Sequence, residues 1–268
     1  EPFNTDKKSN YGGVTISLNN RHIYVTICKP YFDKQKQAYL YNCDIYNSNY
    51  IFGLNKSKGV GEWYWTEPEN CGPNINTPTG WESQPSLSAD GKHLYFASIR
   101  EGSKGIDIYR SDKTEDGWAM AENVGAPINT DFNDKSPFVH TDSKTLYFSS
   151  QGHLGFGGFD IYYARQNEDG TWNEPVNIGH PINSDEDEHG FVVSTDGKKV
   201  YYSSARIGNV RTRLNILSFD LYKEARPENV VFVKGNVDQS QASATQKRIK
   251  IENLNSKKVS EFEVDETD

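Results

Sequence analysis

Few residue types in this chain could do chemistry. Cys28 and Cys43 could close a disulfide, and Cys71 stands apart from them. The densest run of carboxylates is Ser184-Asp185-Glu186-Asp187-Glu188-His189-Gly190. It could meet a cationic or peptide partner, or hold a divalent ion through oxygen ligands. Trp63 and Trp81 are indoles placed where stacking on a ligand is open to them. Other chemistries lack their residues. No Cys/His spacing resembles a zinc site, no Gly-x-Ser-x-Gly elbow presents a nucleophile, and no Asp-x-Asp-x-Asp-Gly loop supports calcium. The histidines His22, His93, His140, His153, His180 and His189 fall at unrelated positions and give no catalytic pairing. Gly155-x-Gly157-Gly158 runs into the strand-like Phe159-Asp160-Ile161-Tyr162, whereas a phosphate loop needs a helix start after its glycines.

The elements that carry these groups come from a repeat. Trp65-x4-Asn70-x-Gly72-x2-Ile75-Asn76 recurs from Trp118 to Asn129 and again from Trp172 to Asn183, at spacings of 53 and 54 residues. Leu94-Tyr95-Phe96, Leu146-Tyr147-Phe148 and Val200-Tyr201-Tyr202 keep the same beat, as do Asp107-Ile108-Tyr109 and Asp160-Ile161-Tyr162. Such constancy marks stacked structural units. In the second unit the pattern predicts strands at about 84–88, 93–98, 106–111 and 118–124. The first two are joined by Ala89-Asp90-Gly91-Lys92, which supplies turn formers and a positive-φ residue. Leu94-Tyr95-Phe96 does not alternate apolar with polar, so this strand is covered on both faces. A propeller blade packed between two neighbours meets that condition. No segment shows a long apolar pattern of helical period. The expected fold is therefore all-β, a β-propeller of four-stranded blades over residues 1–227. Its units lie at about 10–76, 84–129, 137–183 and 190–222.

The first unit departs from the beat. Tyr24 to Asp44 spans 20 residues where Tyr95 to Asp107 spans 12, and Asp44 to Trp65 spans 21 where Asp107 to Trp118 spans 11. These insertions are expected to be loops on the blade rim. Both ends read as cut from a longer chain. Pro2-Phe3-Asn4-Thr5 matches the tail that leads into a blade, and the fourth unit lacks its own outer-strand motif. One further blade or a borrowed strand is expected to close the ring, with Val230–Val233 the local candidate. Residues 228–268 read as part of a second β domain.

The repeat places the candidates. Cys28 aligns with Ile99 and Cys43 with Ile106, facing positions across a strand pair. A disulfide and two buried thiols both fit, the disulfide being favoured in an oxidising compartment. Cys71 aligns with Val124 and Ile178 and reads as a small buried hydrophobe. Asn70, Asn123 and Asn177 read as ligands of loop backbone. The first strand of a blade lines the propeller axis. Trp81, Glu82, Phe132, Asp134, Asp187, Glu188 and His189 are then expected to form a partner-binding rim at one channel mouth. The competing reading makes them solvated link residues that position the blades.

Bulk properties narrow the classes. The formal net charge of −8 argues against nucleic acid, which needs a basic face. No run of 18 or more apolar residues occurs, so no membrane-spanning helix is expected.

Gln84-Pro85-Ser86-Leu87-Ser88-Ala89-Asp90-Gly91-Lys92-His93-Leu94-Tyr95-Phe96 resembles the repeat of TolB-like, WD-type β-propellers. Gly-x2-Ile-Asn, the Leu-Tyr-Phe-Ser-Ser strand and Gly152 to Tyr162 together resemble PorE-like propellers of OmpA-family envelope proteins of Bacteroidota, which serve type IX secretion. The likeness covers roughly residues 1–224. The tail from Val230 resembles the start of a carboxypeptidase-regulatory-like β-sandwich. The resemblance implies a noncatalytic, periplasmic, outer-membrane-associated scaffold without a cofactor, whose partners are other envelope or secretion proteins. It implies that peptidoglycan is bound only through a domain outside this chain. The alternative is a propeller enzyme that processes glycan or peptidoglycan.

Overall fold

The structure, a computed structural model, describes residues 2–3, 6–55, 59–207, 210–230, 248–252, 257 and 259–263. It is all-β, with a four-bladed propeller arrangement. Two compact units divide the chain, residues 1–230 and 231–268.

The first blade holds β1 (Asn10–Ile16), β2 (His22–Asp33), β3 (Ala38–Asn55), β4 (Val60–Trp65) and β5 (Glu69–Asn70). The second holds β6 (Trp81–Leu87), β7 (His93–Ile99), β8 (Asp107–Thr114), β9 (Gly117–Trp118) and β10 (Glu122–Asn123). The third holds β11 (Asp134–Val139), β12 (Thr145–Ser150), β13 (Asp160–Arg165) and β14 (Val176–Asn177). The fourth holds β15 (Glu188–Val193), β16 (Lys199–Ile207) and β17 (Val210–Asp220), paired in that order. All strand pairs are antiparallel. The continuous outer strand expected at 118–124 is reduced to two short pairings, Lys113 with Trp118 and Tyr109 with Asn123. Between them the chain leaves the ladder.

The inner strands β1, β6, β11 and β15 each contain a bulge, which bends the strand and sharpens its twist. The bulge positions Gln84, Ser136 and Gly190 have φ of 56°, 53° and 63°. Gln84 packs tightly enough on the first blade that a Cβ on Gly13 would lie 2.8 Å from its Cα, so glycine is required there. The inner hairpin turns follow the expected chemistry. Gly91, Ser143 and Gly197 take positive φ, and Asp90, Asp142 and Asp196 accept the N–H two residues on.

Most of the core lies at the seams between blades, and a smaller cluster of Val25, Ile27 and Tyr46 lies within the first blade. Tyr24, Ile45 and Ile75 meet Leu94, Phe96, Tyr109 and Trp118 at the first seam. Tyr95, Ile108 and Ile128 meet Leu146, Phe148 and Tyr162 at the second. Tyr147, Ile161 and Ile182 meet Phe191, Val200 and Leu221 at the third. Leu94, Leu146 and Val200 are wholly buried, as the unbroken apolar triplets require. The segment after β17 is tied to the last two blades. Tyr147 donates to the Ala225 carbonyl at 2.6 Å, and Arg165 donates to the carbonyls of Glu224 and Arg226.

In the second unit β18 (Arg248–Glu252) and β19 (Val259–Glu263) form an antiparallel hairpin. Beyond Val230 itself, the expected closing strand at 230–233 and the first strand of the expected sandwich lie outside the described residues.

The first-blade insertions are not loops. They continue the strands, so that β2 has 12 residues and β3 has 18, against 7 and 8 in their second-blade counterparts. β2 and β3 pair without a break from His22–Asn49 out to Asp33–Ala38, through a run rich in tyrosine and phenylalanine, which favour strands.

Candidate functional site

The carboxylates expected on the rim lie inside the blades. Glu82, Asp134 and Glu188 occupy one repeat position, opposite Ser98, Ser150 and Ser204, and all three are fully buried. Glu82 accepts the Thr77 N–H at 3.1 Å, the Thr77 hydroxyl at 3.0 Å and the Ser98 hydroxyl at 2.9 Å. The Arg100 guanidinium lies 3.3 Å from the same carboxylate. Asp134 accepts the Thr130 N–H and hydroxyl at 2.6 and 2.8 Å. Glu188 accepts the same pair from Ser184 at 3.0 and 2.7 Å, and the Ser204 hydroxyl at 3.0 Å. Burial raises the pKa of all three, and these hydrogen bonds pull it back. Each carboxylate thus latches the linker entering a blade onto that blade's inner strand. The expectation that these three face a partner is corrected by their burial.

The other rim candidates are scattered. Trp81 is half-buried at the head of β6, and Phe132 is 61% exposed. Asp187 is exposed and accepts the Phe159 N–H at 2.9 Å. The half-buried His189 ring lies 5.1 Å from Phe159, whose face also carries Lys135 Nζ at 3.7 Å. Burial lowers the His189 pKa, and Lys135 lowers it further. The seven residues therefore do not make one solvent-facing set.

The repeated asparagines are scaffold. Asn76, Asn129 and Asn183 bond both the N–H and the carbonyl of Ile45, Ile108 and Ile161. Asn70, Asn123 and Asn177 accept the N–H of Gly72, Gly125 and Gly179. Trp118 packs edge-on against Tyr24, and Trp172 against Tyr95. Cys71 is a free, partly buried thiol against the first seam, its pKa pushed up to about 12 by burial.

The first blade is built differently. Tyr11 stands where the carboxylate would be, and Ile27 where the serine would be, so the latch is absent. Instead β2 and β3 leave the blade as a two-stranded ribbon closed at Asp33 to Ala38. Cys28 and Cys43 form a disulfide at its base, with Cα atoms 3.9 Å apart. Above it Phe32 and Tyr39 pair across the strands with ring centroids at 5.3 Å. Tyr39 is 74% exposed, and Tyr31, Phe32 and Tyr41 are about half exposed. The other end of β3 pairs with β4 in a second ribbon, where Tyr50 stacks on Trp63 at 5.5 Å and Arg21 covers the Trp63 ring at 4.0 Å. Reading the insertions as loops hid both ribbons. Their signal was the density of aromatics at Pro30–Phe32, Tyr39–Tyr41 and Tyr50–Phe52.

A groove of about 420 Å³ lies at the base of the first ribbon, between Lys29, Tyr31, Asn42, Asp44 and Tyr46 and the linker at Pro78. Lys29 Nζ sits 4.7 Å from the Tyr46 ring centre, and a hydrogen bond to Tyr46 raises its pKa. Asp44 accepts the Asn42 and Asn70 amides at 3.0 and 2.9 Å. Its pKa is raised by burial, against the pull of those amides. The groove is lined by an ammonium, a carboxylate, an amide and aromatic faces. Among the described residues no three His, Cys, Asp or Glu side chains are grouped to hold a metal.

No family model and no curated protein matches the chain. Solved structures do. TolB from Acinetobacter baumannii is similar at 14% identity and a TM-score of 0.47, over 96% of this chain and 55% of TolB. The β-propeller domain of the Trilobed protease from Pyrococcus furiosus is similar at 12% identity and a TM-score of 0.42, over 98% of this chain and 70% of that one. A glycoside hydrolase is similar at 9% identity and a TM-score of 0.47, over 96% of this chain and 87% of that one. The chain thus spans little more than half the length of the TolB it resembles.

Proposed function

We propose that this chain is a noncatalytic docking module, a propeller that holds the aromatic ribbons of its first blade toward a protein partner. The observation that carries the reading is the exposure of Tyr31, Phe32, Tyr39 and Tyr41 on a ribbon stapled at its base by Cys28–Cys43. A free two-stranded hairpin is marginal in water, and a disulfide that holds one in place preserves a surface rather than a core. Aromatic side chains at such a surface supply large contact area with few rotatable bonds.

The disulfide supports an oxidising compartment, in keeping with a periplasmic address. The sequence resemblance supports membership of an outer-membrane-associated, peptidoglycan-linked envelope protein in a type IX secretion assembly. The peptidoglycan contact then belongs to a domain outside these residues. The noncatalytic reading is supported by the repeated carboxylates, which are spent on latches within the blades and offer no solvent-facing acid pair for glycan chemistry.

The test is capture of envelope proteins by the immobilised chain, wild type against the triple variant F32S/Y39S/Y41S. Loss of the specifically captured proteins is expected. Equal capture by both, or glycan hydrolysis by the purified chain, would sink the reading.

A further inference from the structure

The first ribbon has two edges, and they are not alike. On β3, Ile45 turns its N–H and carbonyl away from β2, toward Asn76 and the Cys71 N–H. Backbone direction along a strand alternates, so Cys43, Tyr41 and Tyr39 turn the same way. The close Cα separation at Cys28–Cys43 marks that pair as one without mutual ladder bonds, in agreement. On this side β5 pairs only with Tyr46 and Asn47, and β4 pairs with β3 from Tyr50 onward. Among the described residues no strand pairs with Tyr41 or Tyr39 from that side, and both side chains are exposed, whereas Cys43 is buried. The opposite edge, on β2, runs past β1 through Pro30, whose backbone points outward and has no N–H to give. One edge of the ribbon is thus blocked by proline and the other is open, and an open edge beside aromatic side chains is a template for a further strand.

In the second and third blades this edge does not exist. The strands equivalent to β3 begin at Asp107 and Asp160, and the next blade closes them at once. Asp134 N–H bonds the Ile106 carbonyl at 2.7 Å, and Glu188 N–H bonds the Phe159 carbonyl at 2.8 Å.

Charge indicates which strand would come. The ribbon from Cys28 to Asp44 carries Lys29, Lys34 and Lys36 against Asp33 and Asp44, in a chain of net charge −8. Both aspartates are engaged internally, Asp33 on the N–H groups of Gln35 and Lys36, Asp44 on two asparagine amides. Lys34 and Lys36 make no ion pair among the described residues. The ribbon carries a net charge of +1 on a protein of net charge −8, with Lys34 and Lys36 at its turn.

We propose that the Tyr39–Tyr41 edge of β3 accepts an extended acidic peptide segment of the partner as an added β-strand. Its backbone pairs with Tyr39 and Tyr41. Its side chains fall alternately on the Phe32–Tyr39–Tyr41 face and over the groove beside Lys29, Tyr31 and Asn42. Main-chain pairing gives affinity, and the two faces give selectivity. This deepens the docking reading and rests on it.

The test uses the full chain, immobilised, to pan a phage library of random decapeptides. Enrichment of acidic residues alternating with apolar ones is expected. A selected peptide, made synthetically, should bind the chain at least tenfold more weakly when its alternate backbone amides are N-methylated. Binding should fall at least tenfold in Y41P, which removes an outward N–H and leaves the ladder to β2 intact, and less in Y41A, which keeps it. K29E/K34E/K36E should lose the acidic preference. Intact disulfide mass and unchanged circular dichroism show that each variant folds. Failure to select any peptide overturns the proposal, as do peptides that bind Y41P and wild type equally. A Y41P-sensitive dimer in sedimentation also overturns it, since a second copy of the chain would then occupy the edge. If envelope-protein capture needs the ribbon aromatics while selected peptides ignore Tyr41 N–H, docking stands and strand addition fails. If selected peptides need that N–H while capture is unaffected by the aromatic variant, the docking reading fails.

Discussion

The first and second blades share a repeat and spend their residues in opposite ways. In the second blade Glu82, Ser98 and Arg100 meet inside, at the seam, and the third strand starts only where the next blade can cover it. In the first blade Tyr11 and Ile27 replace the carboxylate and the serine, Lys29 stands at the Arg100 position over Tyr46, and the strands outrun their neighbours. A regular blade converts polar residues into fixed geometry. The irregular blade frees its strand ends from that duty and turns them into surface. If this contrast is right, damage to the second blade unfolds the protein, whereas damage to the first alters what it meets.

The largest effect should come from the second-blade latch. Glu82→Ala leaves Arg100, Thr77 and Ser98 without their buried acceptor, and loss of one partner of a buried ion pair costs about 3–5 kcal/mol. Urea unfolding should show that loss, with Glu82→Gln recovering part of it. A change under about 1 kcal/mol would break the comparison, because the carboxylate would then be ornamental.

The disulfide comes next, and its effect should stay local. Closing a loop of about 15 residues is worth about 3 kcal/mol in the chain-entropy view. The expected outcome for C28S/C43S is faster tryptic cleavage after Lys34 and Lys36, by tenfold or more, with a much smaller shift in the global urea midpoint. A global loss equal to that of Glu82→Ala would show that the ribbon is part of the core.

A smaller, signed effect should follow pH. Burial raises the Asp134 pKa above its unfolded value. Its contribution to stability is therefore present below the unfolded pKa and is lost as pH rises through the folded one. The stability of wild type relative to Asp134→Asn should shift in favour of wild type as pH is lowered from 8 to 4, read from paired thermal melts. The opposite trend would mean that hydrogen bonds to the ionised form outweigh burial, and no trend would mean a solvated carboxylate.

Much of the regular blades was legible in the sequence. The Trp…Asn-x-Gly…Ile-Asn spacing, the Leu-Tyr-Phe triplets and the Asp-Gly turns each report a local constraint, and local constraints repeat with the residues that meet them. The carboxylates were misplaced for a physical reason. Glu82, Asp134 and Glu188 look solvated because charge prefers water, and two linker donors to each, joined by a serine across the strand at Glu82 and Glu188, offset the cost of burial. That arrangement joins residues from different strands, which no window of sequence displays. Extra length was equally ambiguous, since 8 or 10 additional residues specify a loop or a longer ladder only through the pairing of both strands. Cys28 and Cys43 were readable because a repeat alignment is already a statement about pairing.

The smallest effect on stability should be the most telling one for function. F32S/Y39S/Y41S removes three aromatic side chains that are about half exposed or more, and surface substitutions usually change stability by no more than about 0.5 kcal/mol each. The expected melt is close to that of wild type, with the Cys28–Cys43 bridge intact by mass. The seams make no use of these rings, so their presence on a stapled ribbon points to a contact outside the blade. A collapse of the melt in this variant would remove that argument, because the rings would then be packing residues, and the first blade would be regular in energy though irregular in shape.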